Sequence, residues 1–522
     1  MRESPVSQNN TKADSADNGA HNNVKRFAGI TQDSRAVKDG YLFAALHGGK
    51  VDGAAFIPQA IQNGAAAILA SPENIARYQS GGADESGLPQ DCKRDITWIS
   101  DDNPRRKLAL LAAEYYAAQP EFSVAVTGTN GKTSTVYFAQ QIWAQMGLPS
   151  AGIGTLGVRL EGLRQGQDQD QNIELPPSAS MTTPDPVALH RDLKILQEGG
   201  VEHLAMEASS HGLDQYRLDG VRIRAAGFTS FSRDHLDYHK TEEAYLAAKL
   251  RLFSEVCDKD GAAILNADIP EFEALSKAAL ERGLTLLSYG FEGMAMKIIA
   301  LESMPNGQRL TLDVFGRRYD LRIPLAGRFQ TYNALCALGL VLAEYQDAPP
   351  ELAIKALENL SSVPGRLQRV EGHPAGAGVY VDYAHTPDAI VTALQALKPH
   401  TQGKLVCIFG CGGDRDAGKR PLMGKAAAEN ADIAIVTDDN PRSEDPASVR
   451  AQAAAASDKI LNIGGRREAI AQALGMLEAG DVLVITGKGH EQGQEFADHI
   501  EDFCDVRETQ KLLKTMQEER EQ

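Results

Sequence analysis

The segment running from Phe122 to Ser134 constrains this chain more than any other. Phe122-Ser-Val-Ala-Val126 has the composition of a buried strand, and it leads through Thr127-Gly-Thr-Asn-Gly-Lys-Thr-Ser134 into a helix-forming stretch. Gly128 and Gly131 let the backbone turn sharply and aim N–H groups inward, with Thr129 and Asn130 filling the turn. Lys132 supplies a cation for β and γ phosphates. The Thr133 hydroxyl is placed to ligate magnesium, and the helix opening at Ser134 turns its positive end toward the phosphates. The general phosphate-loop pattern has another glycine five residues before Gly131, where this chain has Val126.

Composition sets the frame. At roughly 150 residues per domain, 522 residues suggest three or four domains, with two still possible. A formal net charge of −17 argues against non-specific binding to nucleic acid or an anionic membrane. Phosphate must therefore be held by a few local cations and backbone amides. Aromatics at 6% and 48 glycines favour α/β layers over an all-β sandwich. Six dispersed cysteines make no disulfide framework. The spacing of Cys407 and Cys411, without a second Cys/His pair nearby, reads as one strand thiol and one loop thiol, not a zinc site. No signal-peptide core and no apolar run of about 20 residues is present, so a soluble, cytoplasmic protein is expected.

Residues 1–24 are polar and read as a disordered tail. A first block, 25–116, holds short strands at Tyr41–Leu46, Ala65–Leu69 and Ile96–Ile99. It ends in a helix over Arg105–Ala118 with Pro104 near its start. A second, 117–362, alternates strands and helices around the phosphate loop, with Glu161–Ser180 looping out as an insertion. Val363-Pro-Gly-Arg366 marks the third, 363–522, where apolar runs at Val379–Asp382, Leu405–Phe409, Ile433–Thr437 and Val482–Thr486 alternate with helices. That alternation indicates a parallel sheet with its site at the strands' carboxyl ends, and Arg507–Gln522 reads as a charged terminal helix.

Three further features carry chemistry. Glu207 ends the run Leu204–Met206, where a carboxylate can hold magnesium or simply face solvent. Asp234-His-Leu-Asp-Tyr-His239 follows an apolar strand at Gly227–Phe231. In the helix after it, Tyr245, Lys249 and Phe253 share one face. A lysine on an apolar stripe either snorkels to water or loses solvation. Desolvation lowers its pKa and exposes a neutral amine able to add carbon dioxide as a carbamate.

The loop Thr127–Ser134 resembles that of the Mur ligase superfamily, which includes folylpolyglutamate synthetases, and the resemblance covers nearly all of the chain after residue 25. It implies ATP-driven joining of a carboxylate to an amine. It also implies three α/β domains: an N-terminal UDP-binding domain, a central phosphate-loop ATPase-like domain with a mostly parallel sheet, and a C-terminal Rossmann-like domain. Two magnesium ions are implied, with Thr133, Glu207, His235 and carbamylated Lys249 as their ligands; catalysis falls to Lys132, Glu207, His235 and Lys249. Gly327-Arg-Phe-Gln-Thr-Tyr-Asn333 resembles the segment at the ATP base. Arg366 and Asp382 resemble nucleotide contacts, though from residues alone each could be a turn residue. Thr31-Gln-Asp-Ser-Arg35 and Gly40–Gly48 are similar to the uridine-nucleotide domain of the muramoyl-tripeptide synthetases. By that likeness Gln32, Ser34, Thr182, Thr183, Ser209, Gln215 and Arg217 meet a UDP-muramoyl-dipeptide. Met181 replaces an asparagine common in that group.

Gly412-Gly-Asp-Arg415, Asp439-Asn440-Pro441-Arg442 and Gly487-Lys-Gly-His-Glu491 all fall in turns after C-terminal strands. The Asp-Asn-Pro-Arg run resembles the signature of ligases that add meso-diaminopimelate. The chemistry agrees, because an arginine fork can hold the distal carboxylate while Asp439 and Glu491 receive the ammonium. Lysine would leave the arginine unpaired, at a cost of roughly 1.5–3 kcal/mol or more. A second Asp-Asp-Asn-Pro-Arg run, at Asp101–Arg105, precedes a helix and reads as a cap. The expected partners are UDP-N-acetylmuramoyl-L-alanyl-D-glutamate, meso-diaminopimelate and ATP, acting on a monomer. Rival readings are the same chemistry with L-lysine or another diamino acid, a folylpolyglutamate-type ligase, and a nucleotide-switched regulator that forms no bond.

Overall fold

The computed structural model describes residues 27–48, 51–80, 96–162, 173, 175–176, 181–345 and 350–521. The tail expected over 1–24 and most of the insertion expected over 161–180 lie outside these residues. The described chain divides into two compact units. One comprises described residues within 1–121, 169–200 and 211–222; the other comprises those within 122–168, 201–210 and 223–522.

The first unit carries a four-stranded parallel sheet: Gly29–Thr31, Tyr41–Ala44, Ala67–Ala70 and Thr97–Ser100. One face packs on the short helix Ile57–Gln62, through Phe43, Ile57, Ile61 and Ile68. The other packs on Pro104–Tyr116, through Leu42, Leu69, Leu108 and Leu111. Val187, from the helix Pro186–Glu198, packs against that second core although it is distant in sequence. The Asp101–Arg105 run is a cap, as expected: Asn103 accepts from Arg106 N at 3.1 Å, and Pro104 begins the helix.

The second unit is built on two sheets with mostly parallel strands. Ten strands lie in the order Arg317–Ile323, Gly307–Val314, Met296–Met304, Thr285–Gly290, Cys257–Asn266, Ile223–Phe228, Phe122–Thr127, His203–Glu207, Ser150–Gly154 and Gly157–Glu161. From Met296–Met304 through Ser150–Gly154 every neighbouring pair is parallel, and the strands added at either edge are antiparallel. Phe122–Thr127 is buried along its whole length, which is why it reads as a continuous apolar run. Its register sets Val126 beside Glu207 and Thr127 beside Phe228, so three strand ends reach one edge together.

Six strands form the second sheet: Gln368–Arg369, Gly378–Asp382, Val482–Thr486, Leu405–Cys411, Ile433–Asp438 and Ile460–Asn462. All pairings but that of Gln368–Arg369 are parallel. The hairpin tip at Met304–Pro305 binds this second layer. His400 Nδ1 donates to Met304 O at 2.7 Å, its Nε2 accepts from Gly327 N at 2.8 Å, and Tyr380 OH donates to Pro305 O at 2.7 Å.

Three expectations need correction. The strand expected at Gly227–Phe231 is Ile223–Phe228, because residues after Phe228 leave the sheet to bond the phosphate loop. Cys411 is the last residue of its strand, not a loop thiol. The helix bearing Lys249 spans Glu242–Arg251 and then widens into a π-turn over Leu252–Val256.

Candidate active site

The phosphate loop is held by its neighbours' hydroxyls and carbonyls. Gly131, at φ +91°, lets Lys132 open the helix Lys132–Gln145; a Cβ there would lie 2.3 Å from Asn333 Oδ1. A Cβ at Gly128, φ +141°, would lie 2.1 Å from Thr229 Oγ1. Thr129 N donates to Ser230 O at 2.7 Å, and Thr229 Oγ1 donates to Asn130 O at 2.5 Å. Ser232 N donates to Thr129 Oγ1, which also lies 3.2 Å from Tyr245 OH. Sequence reading missed Thr229, Ser230 and Ser232. The available signal was a hydroxyl-rich run directly after an apolar strand. Ser134 is buried in the first helical turn.

Thr133 Oγ1 donates to Glu207 Oε1 at 2.9 Å. The same carboxylate accepts from Thr155 N at 2.8 Å and Thr155 Oγ1 at 3.2 Å. Burial raises its pKa, and these bonds oppose the shift. A Cβ on Gly154 would lie 2.2 Å from Glu207 Oε1, so glycine is what lets that strand end approach. Hydroxyl and carboxylate oxygens side by side are hard donors suited to magnesium.

Lys132 Nζ and Lys249 Nζ both donate to Gly128 O, at 2.9 and 2.8 Å. Lys249 is 1% exposed and its Nζ lies 4.3 Å from the centre of the Tyr245 ring. Burial, reinforced by the positive charge of Lys132, lowers its pKa to about 6. His235 is half-exposed with a left-handed backbone, φ +52°, and its ring stands 6.1 Å from that of Tyr245. Among the described residues no three His, Cys, Asp or Glu side chains converge as a metal-ligand group.

Asn333 sits against the phosphate loop, its Nδ2 donating to Gln330 Oε1 at 3.0 Å. Asp382 is buried and accepts from Leu367 N at 2.7 Å and Ala384 N at 2.8 Å, so it closes the turn carrying Arg366. The Arg366 guanidinium lies 5.6 Å from the Tyr383 ring, which packs on His490.

In the first unit, Arg217 gathers its expected neighbours: Nη1 donates to Thr183 O at 2.7 Å and Nη2 to Gln215 Oε1 at 2.7 Å. Met181 Sδ also meets Arg217, at 3.4 Å, and Thr182 lies between the two partners in sequence. Ser34 is buried, donating to Gln59 Oε1 at 2.9 Å, whereas Gln32 is exposed. Ser209 belongs to the second unit, after the strand that ends at Glu207.

The C-terminal turns converge. Asn440 Nδ2 donates to Glu491 Oε2 at 3.1 Å, and Asp439 O accepts from Gln494 Nε2 at 2.7 Å. Arg442 Nη1 donates to Gly413 O at 2.9 Å, while its Nε pairs with Glu495 at 2.8 Å. Pro441 O would lie 1.9 Å from a Cβ on Gly413, and Arg415, exposed, extends from that same turn. Gly487, at φ +116°, leaves room for Asp439 Oδ2. Sequence reading missed Lys488 and the fully buried pair Arg466–Asp505, bonded at 2.7 Å through both Nε and Nη2. The signal for Arg466 was Gly464-Gly-Arg466 after a strand, and for Lys488 a lysine between two glycines.

The chain matches the Mur ligase family, catalytic domain, over residues 26–116, the Mur ligase middle domain over 126–341, and the Mur ligase glutamate ligase domain over 365–489. It is 49% identical over 487 residues to a UDP-N-acetylmuramoyl-L-alanyl-D-glutamate–2,6-diaminopimelate ligase of Caulobacter vibrioides, covering 93% of this chain and 95% of that one. A solved structure of a ligase of the same name is similar with a TM-score of 0.73 at 32% identity, covering 94% and 95% of the two chains. A folylpolyglutamate synthase from Mycobacterium tuberculosis shares the fold, with a TM-score of 0.53 at 20% identity over 73% of this chain and 92% of that one.

Proposed function

The chain belongs to the Mur ligase family, and from that premise we propose that it adds meso-diaminopimelate to the γ-carboxylate of D-glutamate in UDP-N-acetylmuramoyl-L-alanyl-D-glutamate. It is an ATP-dependent, peptide-bond-forming ligase of mixed α/β fold that serves peptidoglycan precursor synthesis. The blocks 25–116, 117–362 and 363–522 are its functional divisions, for the UDP substrate, ATP and the amino acid, and it works in the cytoplasm as a monomer.

Lys132 and the loop amides bind the phosphates of ATP, with Gly128, Thr129, Asn130, Gly131, Ser134, Asn333, Arg366 and Asp382 shaping that side. The substrate carboxylate attacks the γ-phosphate, giving an acyl phosphate and ADP. The amine of diaminopimelate then attacks the acyl carbon and phosphate leaves. Thr133 and Glu207 would hold one magnesium ion, and His235 with carbamylated Lys249 a second. Magnesium supplies charge neutralisation at the transferring phosphoryl group. The neutral amine of Lys249 adds carbon dioxide and releases a proton, turning a would-be cation into an anionic donor. Closure of the 363–522 block over ATP keeps water from the acyl phosphate. Gln32, Ser34, Thr182, Thr183, Ser209, Gln215 and Arg217 receive the UDP-muramoyl-dipeptide. Arg415, Asp439, Asn440, Pro441, Arg442, Gly487 and Glu491 receive the amino acid.

The observation that carries this reading is the meeting of Asn440 and Glu491, beside the Arg442 turn, at the carboxyl ends of two parallel strands that flank Leu405–Cys411. A guanidinium, an amide and a carboxylate suit a side-chain tip bearing both charges. Purified protein is offered UDP-muramoyl-dipeptide and ATP with diaminopimelate, L-lysine or no amine, and phosphate release is followed. Diaminopimelate-dependent release is expected. Release with folylglutamate substrates, or none with any amine, contradicts the assignment.

A further inference from the structure

Lys488 stands between the converging turns, and no step above uses it. Its side chain is wholly buried. Its Nζ donates to Asn440 Oδ1 at 2.7 Å and lies 3.5 Å from Glu491 Oε2. Glu495 N donates to the same Asn440 Oδ1 at 3.0 Å. A cation and a backbone N–H together mark that atom as the oxygen, so the amide nitrogen must face Glu491. Without them an asparagine amide can turn over with little change of shape.

Behind Lys488, Arg466 binds both turns. It reaches Thr486 O at 2.9 Å and Asp438 O at 3.3 Å while paired to Asp505. Two buried cations thus fix the spacing of chain segments 48 residues apart, Asn440 and Lys488. A pair of turns needing only to be filled would be served better by an apolar side chain, because burying an ammonium is costly. Asp439 and Glu491 offset the burial that lowers the Lys488 pKa, while Arg466 adds to it.

We propose that Lys488 is a positioning residue for amine selection: it locks the Asn440 amide and the Glu491 carboxylate in the orientation that receives the charged tip of a diamino acid. This rests on the pocket assigned above. The full-length enzyme, Lys488→Met and Lys488→Gln are compared by steady-state kinetics and thermal melting. The unaltered enzyme is assayed first; if it shows no diaminopimelate-dependent turnover, the pocket reading and this inference fall together. If it does turn over, the variants test Lys488 alone.

Lys488→Met is expected to raise the Michaelis constant for diaminopimelate about thirtyfold, the worth of a charged hydrogen bond, and those for ATP and the UDP-substrate by no more than about twofold. Lys488→Gln keeps a donor toward Asn440 and should recover to within about fivefold of the unaltered enzyme. Parallel changes in all three constants, or an unchanged constant for diaminopimelate, overturn the proposal. So does failure of both variants to fold, which would make Lys488 a core group without a selective role.

Discussion

Lys249 and Lys488 are buried to nearly the same degree, 1% and 0% exposed, yet their charged neighbours differ. Lys249 bonds a backbone carbonyl, has Lys132 nearby, and is driven to a pKa of about 6. Lys488 is equally desolvated but faces Asp439, Glu491 and the Asn440 oxygen. Burial lowers both pKa values; at Lys249 the charge of Lys132 adds to the shift, whereas at Lys488 the carboxylates of Asp439 and Glu491 oppose it. Burial alone does not decide what a lysine does; the partners it is buried with decide it.

The largest test of this contrast is at Lys249. In the proposed reaction Lys249→Ala lowers kcat about a thousandfold or more, as loss of a charge-stabilising group does. Short carboxylic acids should restore part of it by replacing the carbamate. A fully active variant, or no rescue, would leave Lys249 as ordinary core. At the other end, Arg442→Lys should raise the Michaelis constant for diaminopimelate about thirtyfold and leave that for ATP unchanged, because lysine cannot form the fork. Equal effects on both substrates would mean that the nucleotide and amine sites are not distinct.

Two glycines sharpen the division further. Gly131→Ala meets Asn333 and Gly487→Ala meets Asp439, each at a left-handed backbone. Strain of about 1–3 kcal/mol at each should weaken ATP about tenfold in the first and diaminopimelate about tenfold in the second. Crossed effects would show that the two turns act as one.

A further effect is on stability. The folded-state pKa of Lys249, about 6, lies below the ordinary lysine value of 10.5, so protonation favours the unfolded chain. The cost to folding is therefore greatest below pH 6 and disappears as pH rises toward 10. In carbon-dioxide-free buffer, Lys249→Met should be more stable than the unaltered protein at pH 7. That advantage should shrink by about 1.4 kcal/mol per pH unit on raising the pH, read from denaturant midpoints. A difference independent of pH would mean the amine is not desolvated.

The phosphate site was legible in sequence because its parts are contiguous. One eight-residue run supplies the loop, the cation and the hydroxyl, whereas helical spacing puts Lys249 on an apolar stripe without deciding between snorkelling and burial. The three-domain α/β fold was legible from alternating apolar runs. The props were not. Thr229 and Ser230 were absorbed into an over-long strand and Ser232 lay just past it, since hydroxyl residues next to an apolar run look the same whether they continue a sheet or leave it. Arg466 and Asp505 are 39 residues apart and meet only because a helix start and the terminal helix converge. Pairing of that kind leaves no local pattern. The role of Lys488 likewise depends on Asn440 across the sheet, whereas the Asp-Asn-Pro-Arg run was visible as a string.

The most direct measurement is the amine profile: phosphate release and product mass with UDP-N-acetylmuramoyl-L-alanyl-D-glutamate, ATP and either meso-diaminopimelate or L-lysine. A tripeptide product carrying diaminopimelate, with lysine at least about a hundredfold poorer in kcat/KM, is the expected result. Equal use of lysine, or hydrolysis of ATP with no peptide product, would contradict it.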